Sequence, residues 1–199
     1  MGRRGDHGLV KIKEMALEAA EALVADGGIG QLSTRKVAAK IGYSAGTLYL
    51  VFKDFNELVL QVNGRTMDRM HTAIVAAGQK QAKHEKAVHA VCRAYYDFAG
   101  SHPALWSLLF DRRWGPDTAR PDWYQAKIRD CFEPLVERLK ALGLGRDSRH
   151  LDALTSALWA SVHGICVLRQ DNHLSTAGAR ESSKLLDLQV ALFLRGAKA

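Results

Sequence analysis

Cysteine and proline are both scarce, with three and four residues in a chain of 199. Cys92, Cys131 and Cys166 are far apart and sit in apolar surroundings such as HAVCRAYY and HGICVL. They offer neither a disulfide framework nor the paired spacing of a zinc site, so they read as reduced core thiols. Long apolar runs are missing too. The longest, LTSALWASVHGICVL, is short of a membrane span and contains a histidine, and LVKIKEMALEAAEAL near the N-terminus carries charges where a signal peptide would be apolar. A cytoplasmic protein without a membrane partner is expected.

Catalytic signatures are equally absent. There is no GxSxG nucleophile elbow and no GxxxxGK phosphate loop. GGIG at 27–30 lacks a preceding strand and the third glycine of a dinucleotide fingerprint. HEKAVH at 84–89 imitates the zinc-protease HExxH, but its histidines stand five apart, about 140° around a helix, and cannot share a metal. The expectation is a protein that is no enzyme and holds neither metal nor cofactor.

What the chain does have is helical periodicity and positive charge. Apolar residues recur at spacings of three and four almost throughout, and no stretch alternates strictly, so the fold class is all-α. The net charge is +7, and up to residue 53 eight Lys/Arg face five Asp/Glu, a mild basic excess favouring a polyanionic partner. Leu9, Ile12, Ala16, Ala19, Ala20 and Leu23 form the apolar stripe of a first helix over 9–26, ended by DGGIG. Thr34 caps a short helix to Lys40, Ser44 caps another from Ala45 to about Phe52, and Asp54 or Asn56 opens a long helix to about Ala77. Further helices are expected in KHEKAVHAVCRAYYDFAGSH at 83–102, from Pro103, through DWYQAKIRDCFEPLVERLKALG, at about 148–171 and at about 178–196, with GPDTARPD at 115–122 as the most loop-like stretch.

Within 34–54, TRKVAAKIGYSAGTLYLVFKD, two short helices flank IGYS and small residues follow the break. On residue type alone this is either a C-cap with tight helix packing or a helix-turn-helix. In the second case small side chains let the reading helix approach duplex DNA, with hydroxyls and lysines for phosphates. The ordered string, from ALEAAEALVADGG through LSTRKVAAKIGYSAGTLYLVFKDFNELV, resembles the DNA-binding head of the TetR (tetracycline-repressor) family over about a quarter of the chain.

That resemblance implies an N-terminal three-helix head, residues 1–55, on a larger antiparallel helical body, 56–199, for ligand binding and dimerisation. Carried residue by residue, it makes Thr34, Arg35, Lys36, Tyr43, Ser44, Ala45, Gly46, Thr47, Tyr49 and Lys53 the DNA-contacting set. Val37, Ala38, Ile41, Leu48 and Phe52 become core. Two positions depart from the family pattern: Val51 stands where His or Tyr is common, and Phe55 where a lysine is. Arg3 and Arg4 are either a minor-groove arm or a solvated terminus.

The last two helices have more apolar surface than one neighbour covers; either both faces are core of one bundle, or, as the resemblance implies, they meet their symmetry mates through Leu154, Leu158, Val162, Leu188 and Leu192. A homodimer on a palindromic operator follows. The aromatics Tyr95, Tyr96, Trp106, Phe110, Trp123, Phe132 and Trp159, with Trp114 beside them and His163, are either ordinary core or the lining of a small-molecule pocket. WASVHG at 159–164 also looks like the Trp–His–Gly signature of one subgroup of such bodies. The expected function is a DNA-binding transcriptional regulator, a repressor released by a partly apolar effector. The alternative is a helical ligand-binding or scaffold protein that has lost operator recognition.

Overall fold

Periodicity at three and four becomes helix throughout the computed structural model, which describes residues 8–111, 120–173 and 181–198. Arg3, Arg4, Trp114 and most of GPDTARPD lie outside them. The helices are α1 (Leu9–Gly27), α2 (Thr34–Lys40), α3 (Ala45–Leu48), α4 (Phe55–Gln79), α5 (His84–Ser101), α6 (Pro103–Leu108), α7 (Asp122–Ala141), α8 (Ser148–Gln170) and α9 (Ser182–Gly196), with one 3-10 turn at Ile29–Gln31. No strand occurs among the described residues.

Local chemistry sets the helix ends, and three differ from the sequence expectation. The cap of α2 is Ser33 rather than Thr34: its side chain accepts from the Lys36 N–H, and Thr34 is already helical. α3 stops at Leu48 rather than Phe52, because the chain beyond tightens into turns in which the N–H groups of Leu50 and Val51 bond to the carbonyls of Thr47 and Leu48 at 3.2 and 3.1 Å. α9 begins at Ser182. At α4 the choice left open by the sequence falls on Asp54, whose carboxylate accepts from Glu57 N at 2.8 Å while the Glu57 carboxylate takes Lys53 N at 2.6 Å, a reciprocal capping arrangement. α7 runs through Pro134, which lacks the N–H that would bond to the carbonyl of Asp130.

The chain packs as two units. The first comprises Met1–Thr66 with His102–Tyr124, the second Met67–Ser101 with Gln125–Ala199. The first extends past residue 55 because its core needs more than three short helices. Ala16, Ala20 and Val24 of α1, Val37 and Ala38 of α2, and Leu48 and Phe52 share one apolar cluster with Leu58, Val59 and Val62 of α4 and Leu105 and Leu108 of α6. Arg65 of α4 ties this packing to α1 through Glu14 at 2.5 Å and Glu21 at 2.9 Å. Partial burial opposes the charge of Arg65, but the two carboxylates outweigh it and hold its pKa above the ordinary value.

In the second unit α5, α8 and α9 pack on one another. Val88, Val91 and Ala99 of α5, Leu158, Val162 and Ile165 of α8, and Leu186, Val190 and Leu194 of α9 are buried. α8 has the length and composition of a membrane span, but its side bearing Leu158 and Val162 is inside this packing.

The break between α2 and α3 is a Schellman closure. Gly42 has φ +77°, its N–H bonds to the Ala39 carbonyl at 3.1 Å, and Tyr43 N bonds to the Ala38 carbonyl at 2.9 Å. A Cβ on Gly42 meets no atom within 4 Å, so only the backbone conformation demands glycine. Gly42→Ala should therefore cost about 1 kcal/mol in urea unfolding, whereas Gly30→Ala, which also meets nothing within 4 Å and carries no left-handed φ, should cost less. Equal losses would show that the turn is not held by this geometry.

Candidate nucleic-acid interface and effector site

The capping of α3 shapes its outer edge. Ser44 Oγ accepts from the Thr47 N–H at 3.3 Å and lies 3.0 Å from Thr47 Oγ1, so both hydroxyls sit together at the start of the helix. Leu48 and Phe52 point into the core, which turns the opposite side outward. Ser44 and Gly46 are exposed, Tyr43, Ala45 and Thr47 half-exposed, and Tyr49 is 55% exposed. Thr34 is half-exposed, Arg35, Lys36, Lys40 and Lys53 are exposed, and Lys36 Nζ is bonded to Gln31 Oε1. All ten residues named from the sequence thus keep exposed or partly exposed surface in one unit. A Cβ on Gly46 would find only Ser44 Oγ, at 3.6 Å, so this edge leaves space for a partner's approach.

Two residues here escaped the sequence reading. Leu50 is 68% exposed, directly after Tyr49. The only signal was an apolar residue in a stretch assigned to continuous helix; the turns after Leu48 send it outward. Lys13 of α1 lies over the Phe52 ring, 5.6 Å from its centroid. Val51 and Phe55 are half-buried and pack against the core. They are therefore tied to apolar packing at the positions where the family pattern has polar side chains.

The aromatic set divides between the two units. Trp106, Phe110 and Trp123 belong to the first, where Trp106 packs on Phe110 (centroids 5.0 Å apart) and Trp123 meets Tyr124 edge-on at 5.5 Å. In the second unit, Tyr96 is taken up in packing: Arg169 stacks on its ring at 3.8 Å, and its hydroxyl lies 2.5 Å from Ser182 Oγ. The remaining rings form a chain. Phe132 of α7 meets Trp159 of α8 edge-on at 5.4 Å, Trp159 stacks on His163 at 4.9 Å, and the His163 Nδ1 lies 2.8 Å from the Tyr95 hydroxyl of α5. Tyr95 is buried, and the other three are half-exposed. Burial lowers the His163 pKa below its ordinary 6.5, so the imidazole is neutral at pH 7.

The model of the bacterial regulatory proteins of the tetR family matches residues 16–62, and that of the tetracyclin repressor-like C-terminal domain matches 88–193, more than half of the chain. The chain belongs to the TetR family. No curated protein matches it. Its fold is shared with a Rhodococcus protein of unknown function (20% identity, TM-score 0.81, 98% of this chain and 99% of that one covered). It is shared also with a TetR regulator from Streptomyces coelicolor (22%, 0.68, 92% and 96%). A TetR family transcription regulator from Marinobacter aquaeolei is similar as well (17%, 0.66, 92% and 94%). The first match lies on the helix-turn-helix, so this TetR protein is a transcription regulator with a DNA-binding head.

For pairing of two TetR chains, one correction is needed. Leu158 and Val162 are protomer core, because their side of α8 packs within the second unit, and Leu154 is half-buried. The uncovered apolar residues are Leu188 (52% exposed) and Leu192 (49% exposed) of α9, together with Val167 and Leu168 of α8, which the sequence reading passed over. Ala157 and Ala160 of α8 are exposed as well.

Among the described residues no group of His, Cys, Asp and Glu is placed to hold a metal. All three cysteines are free thiols. Burial raises Cys92 and Cys131 to about 12 and Cys166 to about 11. At pH 8 a thiol reagent should therefore label the native protein far more slowly than the urea-unfolded one. Rapid stoichiometric labelling of native protein would contradict this burial.

His163 generates a stability prediction of definite sign. Its folded pKa lies below the unfolded value, so between the two the unfolded state binds more protons and stability rises with pH. The contribution is complete above about 6.5 and is lost as the pH falls toward the lowered folded value. Urea midpoints of the wild type should drop more between pH 7.5 and 5.5 than those of His163→Gln; parallel drops would overturn the assignment.

Proposed function

We propose that this TetR protein is a cytoplasmic homodimeric repressor that binds a palindromic operator through residues 43–50 and is released by a small, partly apolar effector. Residues 1–55 would read DNA, and 56–199 would bind the effector and form the dimer. The carrying observation is the outward edge of α3, with Ser44, Gly46, Tyr49 and Leu50 presented to solvent while Leu48 and Phe52 are buried behind them. Exposed Arg35, Lys36, Lys40 and Lys53 support phosphate neutralisation beside that edge. Leu50 extends the reading set, since an apolar side chain at a groove edge favours a thymine methyl.

Leu188, Leu192 and Leu168 support pairing of α8 and α9 with their copies, as apolar side chains that one protomer leaves uncovered. Two heads related by that symmetry would address half-sites about 34 Å apart. The ring chain Phe132, Trp159, His163 and Tyr95 supports an effector site, and WASVHG agrees with the Trp–His–Gly bodies it resembles. An effector that prefers the released conformation about 100-fold supplies roughly 2.7 kcal/mol of coupling.

The second reading, a helical binding protein without an operator, draws on Val51 and Phe55, which are committed to the core. Binding to the DNA upstream of its own gene, titrated against salt, separates the two. The regulator predicts a sequence-dependent shift that weakens with salt, and the second reading predicts neither.

Thr47→Asp places a carboxylate against phosphate and should weaken operator binding at least about tenfold, with Tyr49→Ala losing about three- to tenfold, both as intact dimers by sedimentation. Lys40→Ala should lower the salt slope by about one contact, while Leu50→Ala should change base preference and leave that slope alone. If Thr47→Asp and Tyr49→Ala both shift the operator normally, α3 is not the reading helix.

A further inference from the structure

Residues 41–52, IGYSAGTLYLVF, contain no charged, amide or imidazole side chain. The paired hydrogen bonds that identify a base across the major groove come from Arg or Lys on guanine and from Asn or Gln on adenine, while Asp or Glu accepts from cytosine. This segment can make none of them. Its hydroxyls act singly, and two are turned on each other: Ser44 Oγ accepts from the Thr47 N–H at 3.3 Å and lies 3.0 Å from Thr47 Oγ1, so one hydroxyl hydrogen is spent inside the pair.

What the segment presents instead is apolar. Leu50 is 68% exposed, and Ala45 and Thr47, each bearing one methyl, are half-exposed, while Leu48 and Phe52 are buried behind them. On the base edges of the major groove an apolar group has one partner, the C5-methyl of thymine. Cations of the same unit stand outside the segment. Arg35, Lys36 and Lys40 are on α2, Lys53 follows the turns, and Lys13 of α1 lies over the Phe52 ring. The first helix of a helix-turn-helix crosses the DNA backbone, which sets the cations of α2 at phosphates, where they position the head and carry no sequence. Lys36 Nζ is in addition bonded to Gln31 Oε1.

We infer that this head recognises its operator through thymine methyl groups set against Ala45, Thr47 and Leu50, with no paired contact to guanine or adenine from residues 41–52. This rests on the reading of α3 as the groove-facing helix of a DNA-binding head, and the head itself is given by the family match over 16–62. It narrows that reading to the chemical group on the bases that carries the sequence: half-sites with A·T pairs opposite α3, told apart from other sequences by the methyl.

The test uses the full-length protein and the duplex it selects from a random pool, resynthesised with two analogues that alter only the major groove. Deoxyuridine in place of thymidine removes the 5-methyl, and 7-deazaguanine in place of guanine removes the N7 acceptor. The minor groove keeps its groups, so a contact there from Arg3 or Arg4 moves neither readout. Deoxyuridine through both half-sites should weaken binding at least about fourfold, and 7-deazaguanine should change it by less than about twofold. Leu50→Ala, and Thr47→Ser, which keeps the hydroxyl, should each shrink the deoxyuridine loss, a coupling that a change of duplex shape alone does not produce. Full affinity for the uracil duplex, or a deoxyuridine loss of the same size in both variants, would overturn the inference and leave the regulator in place. A 7-deazaguanine loss larger than the deoxyuridine loss would do the same, and its disappearance in Arg35→Ala or Lys36→Ala would assign the reading to α2. A pool from which the protein enriches no sequence would overturn both this inference and the reading of the head beneath it.

Discussion

One apolar core, closed from outside by Leu48 and Phe52, governs everything the first unit does. α3 is only four residues long and has no stability of its own, since so short a segment cannot repay helix nucleation. It exists because Ser44 caps it, because Gly42 adopts a left-handed turn behind it, and because Leu48 is driven into the space between α1, α2 and α4. Once Leu48 is inside, helical geometry forces Ser44, Gly46 and Tyr49 outward. The outward edge is thus the geometric complement of a buried one. The same core recruits α4 and α6, so that residues distant in sequence, Val59 and Leu108 among them, hold the presentation of residues 43–50.

The second unit solves a different problem. α5, α8 and α9 bury Val88, Leu158, Val162, Leu186 and Val190 against one another, yet leave Leu188, Leu192 and Leu168 in solvent. Both outcomes come from the same two amphipathic helices, each with an apolar arc wider than one neighbour can cover. Polar side chains specify the contact as well: Arg169 stacks on Tyr96 and bonds to its carbonyl, Gln170 reaches the Ala99 carbonyl, and Arg93 bridges to Asp187 and Ser183 of α9. The ring chain runs from Phe132 of α7 through Trp159 and His163 of α8 to Tyr95 of α5, and burial lowers the pKa of His163 there.

Membership of the TetR family and these two arrangements support one another. The family establishes a DNA-binding head of transcription regulators, while the low identities to the solved relatives, 17–22% among those named above, carry the fold but no ligand. What distinguishes this chain must therefore come from its own residues. At the head, Val51 and Phe55 stand apart from the family pattern and pack against the core.

The all-helical class and the two short helices flanking IGYS followed from the linear order of residues, and the resemblance of that string to the TetR head supplied the outward placing of Tyr43, Ser44, Ala45, Gly46, Thr47 and Tyr49 with Leu48 as core. Period, glycine breaks and hydroxyl caps act over three or four positions, and such local rules do not need the rest of the molecule. The choice of Ser33 over Thr34 as a cap, and the turns that end α3 and expose Leu50, hang on differences of one residue and on where Leu48 must point. Leu158 and Val162 have the same apolar character as Leu188 and Leu192, and only packing decided which pair is core and which remains open. It likewise divided an apparently single aromatic cluster between two units and joined Tyr95 to His163, 68 positions along the chain. Hydrophobicity marks a side chain as one that seeks burial; which surface buries it is a property of neighbours brought together only by the fold.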